Sequence, residues 1–323
     1  MQQKGPVNLF VQLLQQRSNS ESVSSLVERR MSHGSFLYKR DDMNRDYYIA
    51  QTHFIIHSDV PLESYEAEEK FTHPAIPALY DIDVQIALAE KIEVPDGDYI
   101  EDEFCKIWLE QGLEIRLYDF QDTYPDVIRS EWDGKSIRIW IQDVIGRICM
   151  KNFRPWSYMH LERVLLQHHA LILHSASILY QEKAILFTAP SETGKTTQTD
   201  IWHRKEASVQ DLNGDRTVLL PGPEGWIACG IPISGTSDRC EQISAPIAGI
   251  VLVSRAEIDS VSELSVVEKV RHLYDQITVC SASAPDAERA LDLIMDLIGS
   301  ERMLKLNCTM KDSAYHVLKK ALF

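Results

Sequence analysis

The segment from Ala189 to Thr196 brings a lysine, a glycine and several hydroxyl side chains together in one short stretch. A lysine ammonium group suits terminal phosphate oxygens, and a threonine hydroxyl can join the coordination of Mg²⁺. Backbone N–H groups of such a loop, and of the first turn of a following helix, cradle phosphate oxygens. The sequence Gly194-Lys195-Thr196 therefore predicts a phosphate-binding loop. An alternative is an ordinary helix start that is capped by Ser191 or Thr193.

The elements on either side of this segment fit a phosphate-binding loop. Residues 184–188 form an apolar run that predicts a buried strand, and the chain from Thr196 onward predicts a helix. A strand, a loop ending in Gly-Lys-Thr and a helix are the context that this motif requires. The residues predicted to bind a nucleotide are Ala189, Ser191, Thr193, Gly194, Lys195, Thr196 and Thr197.

Two acidic residues follow the predicted helix. Asp211 and Asp215 lie at a turn between two strand-like runs. A carboxylate there can bind Mg²⁺ or accept the proton of a substrate hydroxyl. Taken alone, this Asp-Leu-Asn-Gly-Asp segment is also typical of a turn whose side chains serve the backbone. In combination with the loop, we expect Asp215 and Asp211 to act in catalysis, and Thr196 and Asp215 to hold Mg²⁺.

The remaining pattern predicts a β-rich region followed by alternating strands and helices. One strand is predicted over 47–58, two more over 113–120 and 136–143, and a hairpin turn at Asp133-Gly134. Apolar spacing predicts a helix over 156–170. Later residues predict strands over 246–255 and 302–309, and helices over 264–277, 286–300 and 312–322.

These elements predict an α/β fold with α+β character. A β-rich N-terminal region precedes the strands and helices that carry the loop. The expected division is an N-terminal helix (5–16) and connection over 1–46, a β-rich domain over 47–155, and a domain over 156–323 that contains the loop.

Composition and charge argue against several partners. A net charge of −15 disfavours a nucleic-acid backbone or an anionic membrane surface as partner. The first residues lack the apolar core and cleavage site of a signal peptide, and no run is long enough to span a bilayer. The 6 cysteines have no metal-site or redox-pair spacing, which favours reduced, mostly buried thiols. We therefore expect a cytoplasmic protein.

Three stretches together resemble one known family. They are HSASILYQEKAILFTAPSETGKTTQ at 174–198, LNGDRTVLL at 212–220 and GIPISGTS at 230–237. They resemble the catalytic domain of the HPr kinase/phosphorylase group and, more closely, HPr-kinase-related proteins found near peptide-modifying enzymes and in free-serine metabolism. The resemblance covers 156–255 and, in element order, the C-terminal half. It implies the phosphate-loop fold shared with phosphoenolpyruvate carboxykinase, in which a mixed β core has flanking helices. It also implies that 156–323 is a kinase-like catalytic domain, which transfers a phosphoryl group from ATP to a serine hydroxyl.

The resemblance also implies roles for particular residues. His174 matches the histidine that precedes the loop strand, and Asp215 matches one member of the family's acidic pair. The loop residues that match are Ser191, Gly194, Lys195 and Thr196, and the residues that match a later, closing loop are Ser234, Gly235 and Thr236. ATP and Mg²⁺ are implied as cofactors. Lys195 would contact the β and γ phosphates, and His174 would position the transferring group.

The chain departs from the family pattern at three positions. Ala189 and Glu192 stand where the family usually has glycine, and Gly214 stands in place of the first aspartate of the acidic pair. Because of these departures, an alternative is that this protein is a catalytically degenerate relative that binds a nucleotide or a partner without transferring phosphate. A small-molecule kinase acting on free serine is a further alternative. We expect the acceptor to be a serine-containing peptide or protein other than HPr, and we expect no nucleic-acid or membrane partner. Homo-oligomers are frequent in the family, so a homo-oligomer is an open alternative to a monomer.

Overall fold

The computed structural model describes residues 43–323, apart from 60, 63–64, 103–104, 121–123, 144–153, 236 and 281. The predicted helix over 5–16 and Thr236 lie outside the described residues. The chain divides into two compact units. The first is built mainly from Phe54–Ser64 and Asp81–Leu161, and the second from Tyr48–His53, Tyr65–Tyr80 and Glu162–Phe323.

The described residues form sixteen strands and six α-helices. In the N-terminal half these are β1 (Asn44–Ile49), β2 (Thr52–Ser58), α1 (Glu66–Glu69), β3 (Tyr80–Ala89), β4 (Ile100–Glu101), β5 (Cys105–Glu110), β6 (Leu113–Phe120), β7 (Tyr124–Trp132), β8 (Ser136–Gln142), a 3₁₀ turn (Pro155–Ser157) and α2 (Leu161–Gln167). In the C-terminal half they are β9 (Leu171–Tyr180), β10 (Lys183–Thr188), α3 (Lys195–Lys205), β11 (Gln210–Asn213), β12 (Arg216–Gly222), β13 (Gly225–Cys229), β14 (Ser244–Arg255), β15 (Ser260–Glu263), α4 (Val266–Gln276), α5 (Ala284–Ser300), β16 (Met303–Cys308) and α6 (Ser313–Leu322).

The first sheet has the strand order β1-β2-β3-β8-β7-β6-β5-β4. The predicted turn at Asp133-Gly134 connects β7 and β8, which pair antiparallel. The single strand predicted over 47–58 is wrong, because the chain reverses between β1 and β2. Ala50 adopts a φ of 52° in that turn, a left-handed conformation that the sequence does not mark with glycine or asparagine.

The second sheet has the order β10-β9-β12-β13-β14-β16-β15, with β11 also paired to β9 and β10 also paired to β14. β10 lies antiparallel to β9 on one side and parallel to β14 on the other. β14 is also parallel to β16. Parallel strands end at the same edge of a sheet, so the ends of β10, β14 and β16 lie in one row.

Helices cover both faces of the second sheet because side chains alternate along its strands. Ala184 and Leu186 of β10 pack in a core with α4 and α5. Ile185 and Phe187 point the other way into a core with α3 and α6. Continuous apolar runs such as β10 are expected for strands buried on both faces. The architecture is therefore mixed α+β and strand-rich, as predicted in outline.

The helix predicted over 156–170 is shorter than expected. The structure has a 3₁₀ turn at Pro155–Ser157 and a separate helix, α2, that begins at Leu161 and ends at Gln167. His160 and His169 both have left-handed backbone angles, with φ of 48° and 60°. A left-handed residue cannot continue a right-handed helix, so these two positions set its limits.

No helix in the described part of the chain combines the length and apolar character needed to cross a membrane. Cys229, Cys240 and Cys308 are free thiols, and they are buried, as is Cys280. Cys149 lies outside the described residues.

Candidate functional site

The candidate site lies where β9 changes its pairing partner. His174 of β9 is opposite Arg216 of β12, whereas the next residue, Ser175, is opposite Thr188 of β10. Thr188 is the last residue of β10, and its hydroxyl donates to the His174 carbonyl oxygen at 3.1 Å. The start of the 189–194 loop, His174 and the start of β12 therefore meet at one point.

The loop reaches α3 through two left-handed residues. Glu192 has a φ of 63°, and Gly194, the N-cap residue of α3, has a φ of 121° that side chains rarely adopt. α3 begins with no side-chain hydrogen bond at this cap, whereas α4 and α5 are capped by Ser265 and Ser283. The alternative of a helix start capped by Ser191 or Thr193 is therefore wrong. The first N–H groups of a helix have no intrahelical partner, so this end of α3 can serve an anion.

Lys195 is the first residue of α3, and it is buried with 8% of its surface exposed. Its ammonium group turns back under the loop and donates to the carbonyl oxygens of Ala189 at 2.9 Å and Pro190 at 3.4 Å. The pKa of Lys195 is lowered to about 8, because burial outweighs the charge of Asp215, which raises this pKa, and the charge of Arg216 adds to the lowering. A desolvated lysine charge next to an open helix end is suited to binding phosphate.

Asp215 carries a stabilised negative charge beside this lysine. His174 Nε2 lies 3.5 Å from Asp215 Oδ1, and Arg216 Nε lies 3.5 Å from Asp215 Oδ2. Burial alone would raise the pKa of Asp215. The His174 contact and the charges of Arg216 and Lys195 outweigh burial and hold that pKa below its ordinary value. Asp215 is therefore a carboxylate at neutral pH.

The turn that presents Asp215 is tightly fixed. The buried Asn213 side chain accepts from the backbone N–H groups of Asp215 at 2.9 Å and Arg216 at 2.8 Å. Gly214 lies against Ser237, and a Cβ built on it would be 1.9 Å from Ser237 Oγ. An aspartate cannot occupy position 214 without moving Ser237. Ser237 therefore occupies the space that a side chain at position 214 would need.

The predicted later loop does reach Asp215. Gly235 packs directly on the Asp215 carboxyl group, since a Cβ on Gly235 would be 2.9 Å from Asp215 Cγ. Ser234 is buried, and its carbonyl oxygen accepts from Ser237 Oγ at 2.7 Å. The loop therefore closes one side of the candidate site.

Asp211 belongs to a different cluster. Its Oδ1 lies 2.9 Å from His203 Nε2 of α3 and 4.0 Å from Arg239 Nη1. Arg239 also forms an ion pair with Asp200 of α3 at 2.7 Å. Asp211 lies in β11, opposite Ile178, whereas Asp215 follows that strand. Asp211 therefore contacts the side of α3, and Asp215 remains the candidate catalytic carboxylate.

The other predicted loop residues differ in exposure. Ala189 is fully buried, and it has no positive φ, so an alanine fits where the motif usually has glycine. Ser191 and Thr196 are exposed, and Thr193 and Thr197 are half-buried. Thr196 lies in the first turn of α3, where its hydroxyl is open to a ligand.

The donor set at the site suits Mg²⁺. The described residues contain no group of three or more His, Cys, Asp or Glu side chains arranged to hold a metal ion. Mg²⁺ needs no such cage, because it usually keeps several waters and takes one or two protein oxygens together with substrate phosphates. The hydroxyl of Thr196 and the ionised carboxylate of Asp215 are oxygen donors of this kind.

Two side chains at the site were not predicted. His272 of α4 has its Nε2 atom 3.3 Å from Thr188 Oγ1, and burial, together with the nearby Lys195 charge, lowers the pKa of His272 to about 4. Arg255, at the end of β14, donates to the carbonyl oxygens of Glu192 at 2.6 Å and Thr193 at 3.3 Å. Both residues belong to elements that are far from the loop in sequence, so no local motif predicts that they contact it.

The sequence matches no protein-family model and no curated protein.

Proposed function

We propose that this protein is an ATP-dependent kinase that transfers the γ-phosphoryl group to a serine hydroxyl of a peptide or protein. The observation that carries the proposal is the close approach of three groups at the end of β10. A buried lysine lies beneath a loop that leads into an uncapped helix, and its charge interacts with the Asp215 carboxylate, which contacts His174. A phosphate-binding group and an acceptor-activating group are both needed for such a transfer.

Each residue has a defined part in this proposal. Lys195 and the N–H groups of the loop and of the first turn of α3 bind and orient the phosphates. Thr196 and Asp215 are the protein ligands for Mg²⁺, which neutralises phosphate charge when it is bound with ATP. Asp215 orients the serine hydroxyl and accepts its proton, and His174 keeps Asp215 in position. A carboxylate with a low pKa is sufficient, because in a loose transition state the hydroxyl proton leaves late.

The proposal includes an HPr-kinase-like phosphate-loop fold for the second unit and a cytoplasmic location. Its support for the fold is the strand, loop and helix order around Lys195, with the parallel neighbour β14 and the acidic turn after β11. Its support for the location is the use of ATP together with the free, buried thiols of Cys229, Cys240 and Cys308.

The first test measures the binding of Mg²⁺–ATP by thermal shift and by calorimetry. It compares the wild type with the variants Lys195→Ala and Lys205→Ala. Lys205 lies at the other end of α3, where it forms an ion pair with Asp312 at 2.8 Å, so it is the matched control. We expect ATP to stabilise the wild type and the control, and not the Lys195 variant. The absence of binding to the wild type would contradict the proposal.

The second test is phosphoryl transfer. Serine-containing peptides, their Ser→Ala versions and free serine are compared by phosphate incorporation and ADP release. Incorporation into the serine peptides alone supports the proposal, and stimulation by free serine identifies a small-molecule kinase instead.

A nucleotide-binding protein without transfer activity is the second candidate. It is favoured by Glu192, an exposed acidic residue held at a φ of 63° beside the predicted phosphate position. Saturable ATP binding without ADP release, in the presence of every acceptor tested, would identify this candidate.

A further inference from the structure

A cavity of about 460 Å³ opens beside the 189–194 loop. Its walls are formed by the loop residues Pro190, Glu192 and Thr193, by the end of β14 from Leu252 to Arg255, and by Lys305 of β16. Its volume lies within the range of about 300–1,000 Å³ that is usual for small-molecule sites. The cavity therefore has room for a ligand larger than phosphate.

The cavity lies beside the end of β10, along the neighbouring strands β14 and β16. Thr188 is in register with Leu252 of β14, and Leu252 is in register with Lys305 of β16. Apolar surface from Pro190 and Leu252 can face a flat ring, while Ser254 and Lys305 provide polar groups beside it. Lys305 is near enough to Glu268 to lower the pKa of that carboxyl group, after the larger effect of the hydrogen bonds from Ser265. A wall with both apolar and polar parts suits an uncharged ring system that carries hydroxyl groups.

Arg255 fixes the boundary between the cavity and the loop. Its guanidinium group donates to the carbonyl oxygens of Glu192 and Thr193, which turns those oxygens outward toward β14. These hydrogen bonds therefore fix the position of the loop between the predicted phosphate site and the cavity.

The direction of phosphoryl transfer points to one occupant. β10 has β9 on one side and β14 on the other, and the candidate acceptor groups His174 and Asp215 lie on the β9 side. In an in-line transfer the acceptor oxygen and the leaving oxygen are on opposite sides of the phosphorus atom. The remainder of the donor must then extend away from Asp215, toward β14 and the cavity.

We propose that this cavity takes the nucleoside part of the phosphoryl donor, with the base against Pro190 and Leu252 and the ribose near Ser254. The inference rests on the proposed function, because it assumes that phosphates bind at Lys195. The acceptor peptide is the other conceivable occupant. It is disfavoured because its hydroxyl must reach Asp215 from the opposite side of the phosphates.

The test separates the nucleoside from the phosphates. Calorimetry compares Mg²⁺–ATP with Mg²⁺–tripolyphosphate for the wild type, Ser254→Trp and Ser254→Ala. Ser254 is half-buried at the end of β14, so tryptophan there fills the cavity, whereas alanine leaves its space unchanged. We expect Ser254→Trp to weaken ATP binding at least 10-fold and to leave tripolyphosphate binding within twofold. Ser254→Ala, which removes only the hydroxyl group beside the ribose, should leave tripolyphosphate binding within twofold and weaken ATP binding less than Ser254→Trp does.

The outcomes are distinguishable. If the wild type binds neither ligand, the proposed function fails and this inference fails with it. If the wild type binds both and Ser254→Trp binds both equally well, or weakens both equally, only the nucleoside site is overturned. Retained ATP affinity with lost peptide phosphorylation in Ser254→Trp also overturns it, since the cavity would then serve the acceptor. Lys305→Ala provides a second variant, for which we expect the same selective loss of ATP.

Discussion

His174 Nε2 lies 3.5 Å from Asp215 Oδ1, at the point where β9 leaves β12 and begins to pair with β10. Neither residue belongs to the loop, and they are far apart in sequence. Their contact depends on the register between β9 and β12, which sets His174 opposite Arg216. The sheet itself therefore assembles the candidate acceptor site beside Lys195.

The first prediction concerns the roles of the two aspartates. Asp215→Asn keeps the size of the side chain and removes the base, so phosphoryl transfer should fall by about 10²–10⁴-fold. ATP affinity should change much less, because Lys195 and the loop remain. Asp211→Asn is the control, since Asp211 contacts His203, and its transfer rate should stay close to that of the wild type. Single-turnover rates and calorimetry measure the two quantities.

An equal loss of activity in both aspartate variants would contradict this division of roles. The stability of the protein offers an independent check. The folded-state pKa of Asp215 is below its ordinary value, so its charge stabilises the fold above an ordinary pKa of about 3.9. That contribution is lost as the pH falls through the lower folded value. The difference in stability between the wild type and Asp215→Asn should therefore shrink in strong acid.

The second prediction concerns the pH dependence of ATP binding. Burial lowers the pKa of Lys195 to about 8 in the protein without ligand, and phosphates favour the charged form. ATP affinity should therefore fall as the pH rises above about 8, by up to about tenfold per unit, and binding should take up protons there. Calorimetry in buffers of different ionisation enthalpy measures the proton uptake.

Lys195→Arg is the matched control for this prediction. A guanidinium group stays protonated throughout this range, so any residual affinity of that variant should not fall between pH 8 and 10. A parallel decline in both proteins would assign the pH dependence to another group. Lysine also titrates in the unfolded chain, with a pKa of about 10.4, so the stability of the wild type should rise between pH 8 and that value.

Most strands and helices of the second unit could be predicted from local patterns. β10 is a continuous apolar run, and α4 and α5 have an apolar face and a serine at the N-cap. These signals depend on neighbouring residues alone. The interrupted helix near His160 was missed because left-handed histidines carry no sequence mark.

The candidate site was only partly predictable, for a physical reason. Lys195 and Asp215 belong to short motifs, and the structure brings them together with His174. Arg255 and His272 reach the loop through strand order and helix packing, which depend on long-range contacts. Asp211 and Asp215 are neighbours in sequence, yet Asp211 contacts α3 while Asp215 lies in the following turn.

The third prediction concerns the strain at Glu192. Its φ of 63° is in the left-handed region, which costs a non-glycine residue roughly 1–2 kcal/mol. Glu192→Gly should therefore raise the free energy of unfolding by about 1 kcal/mol, after the greater chain entropy of glycine is included. Chemical denaturation of the wild type, Glu192→Gly and Glu192→Ala measures it.

Alanine at 192 removes the carboxylate and keeps the Cβ atom, so it separates charge from strain. Only glycine should stabilise the protein. If alanine stabilised it equally, repulsion of the carboxylate and not backbone strain would be the cause. ATP affinity measured on both variants tests whether the Glu192 charge weakens phosphate binding, in which case both variants should bind more tightly.

The fourth prediction concerns the contact between Gly214 and Ser237. A Cβ at position 214 would lie 1.9 Å from Ser237 Oγ and 2.9 Å from Ser237 Cβ. Gly214→Ala should therefore destabilise the protein by about 1–3 kcal/mol, as overpacking in a closed site does. Ser237→Gly removes both opposing atoms, so Gly214→Ala should cost much less in that background. A double-mutant cycle by chemical denaturation gives the coupling energy.

The same pair allows a test of aspartate at position 214, where the family resemblance implies an acidic residue. Gly214→Asp alone should displace Ser237 and, with it, Gly235, which packs on Asp215, and should therefore reduce phosphoryl transfer. Gly214→Asp combined with Ser237→Gly should fold with a stability near that of Ser237→Gly and recover the lost transfer. If the single variant Gly214→Asp proved as stable and as active as the wild type, the close approach of Ser237 would not be what excludes an aspartate from position 214.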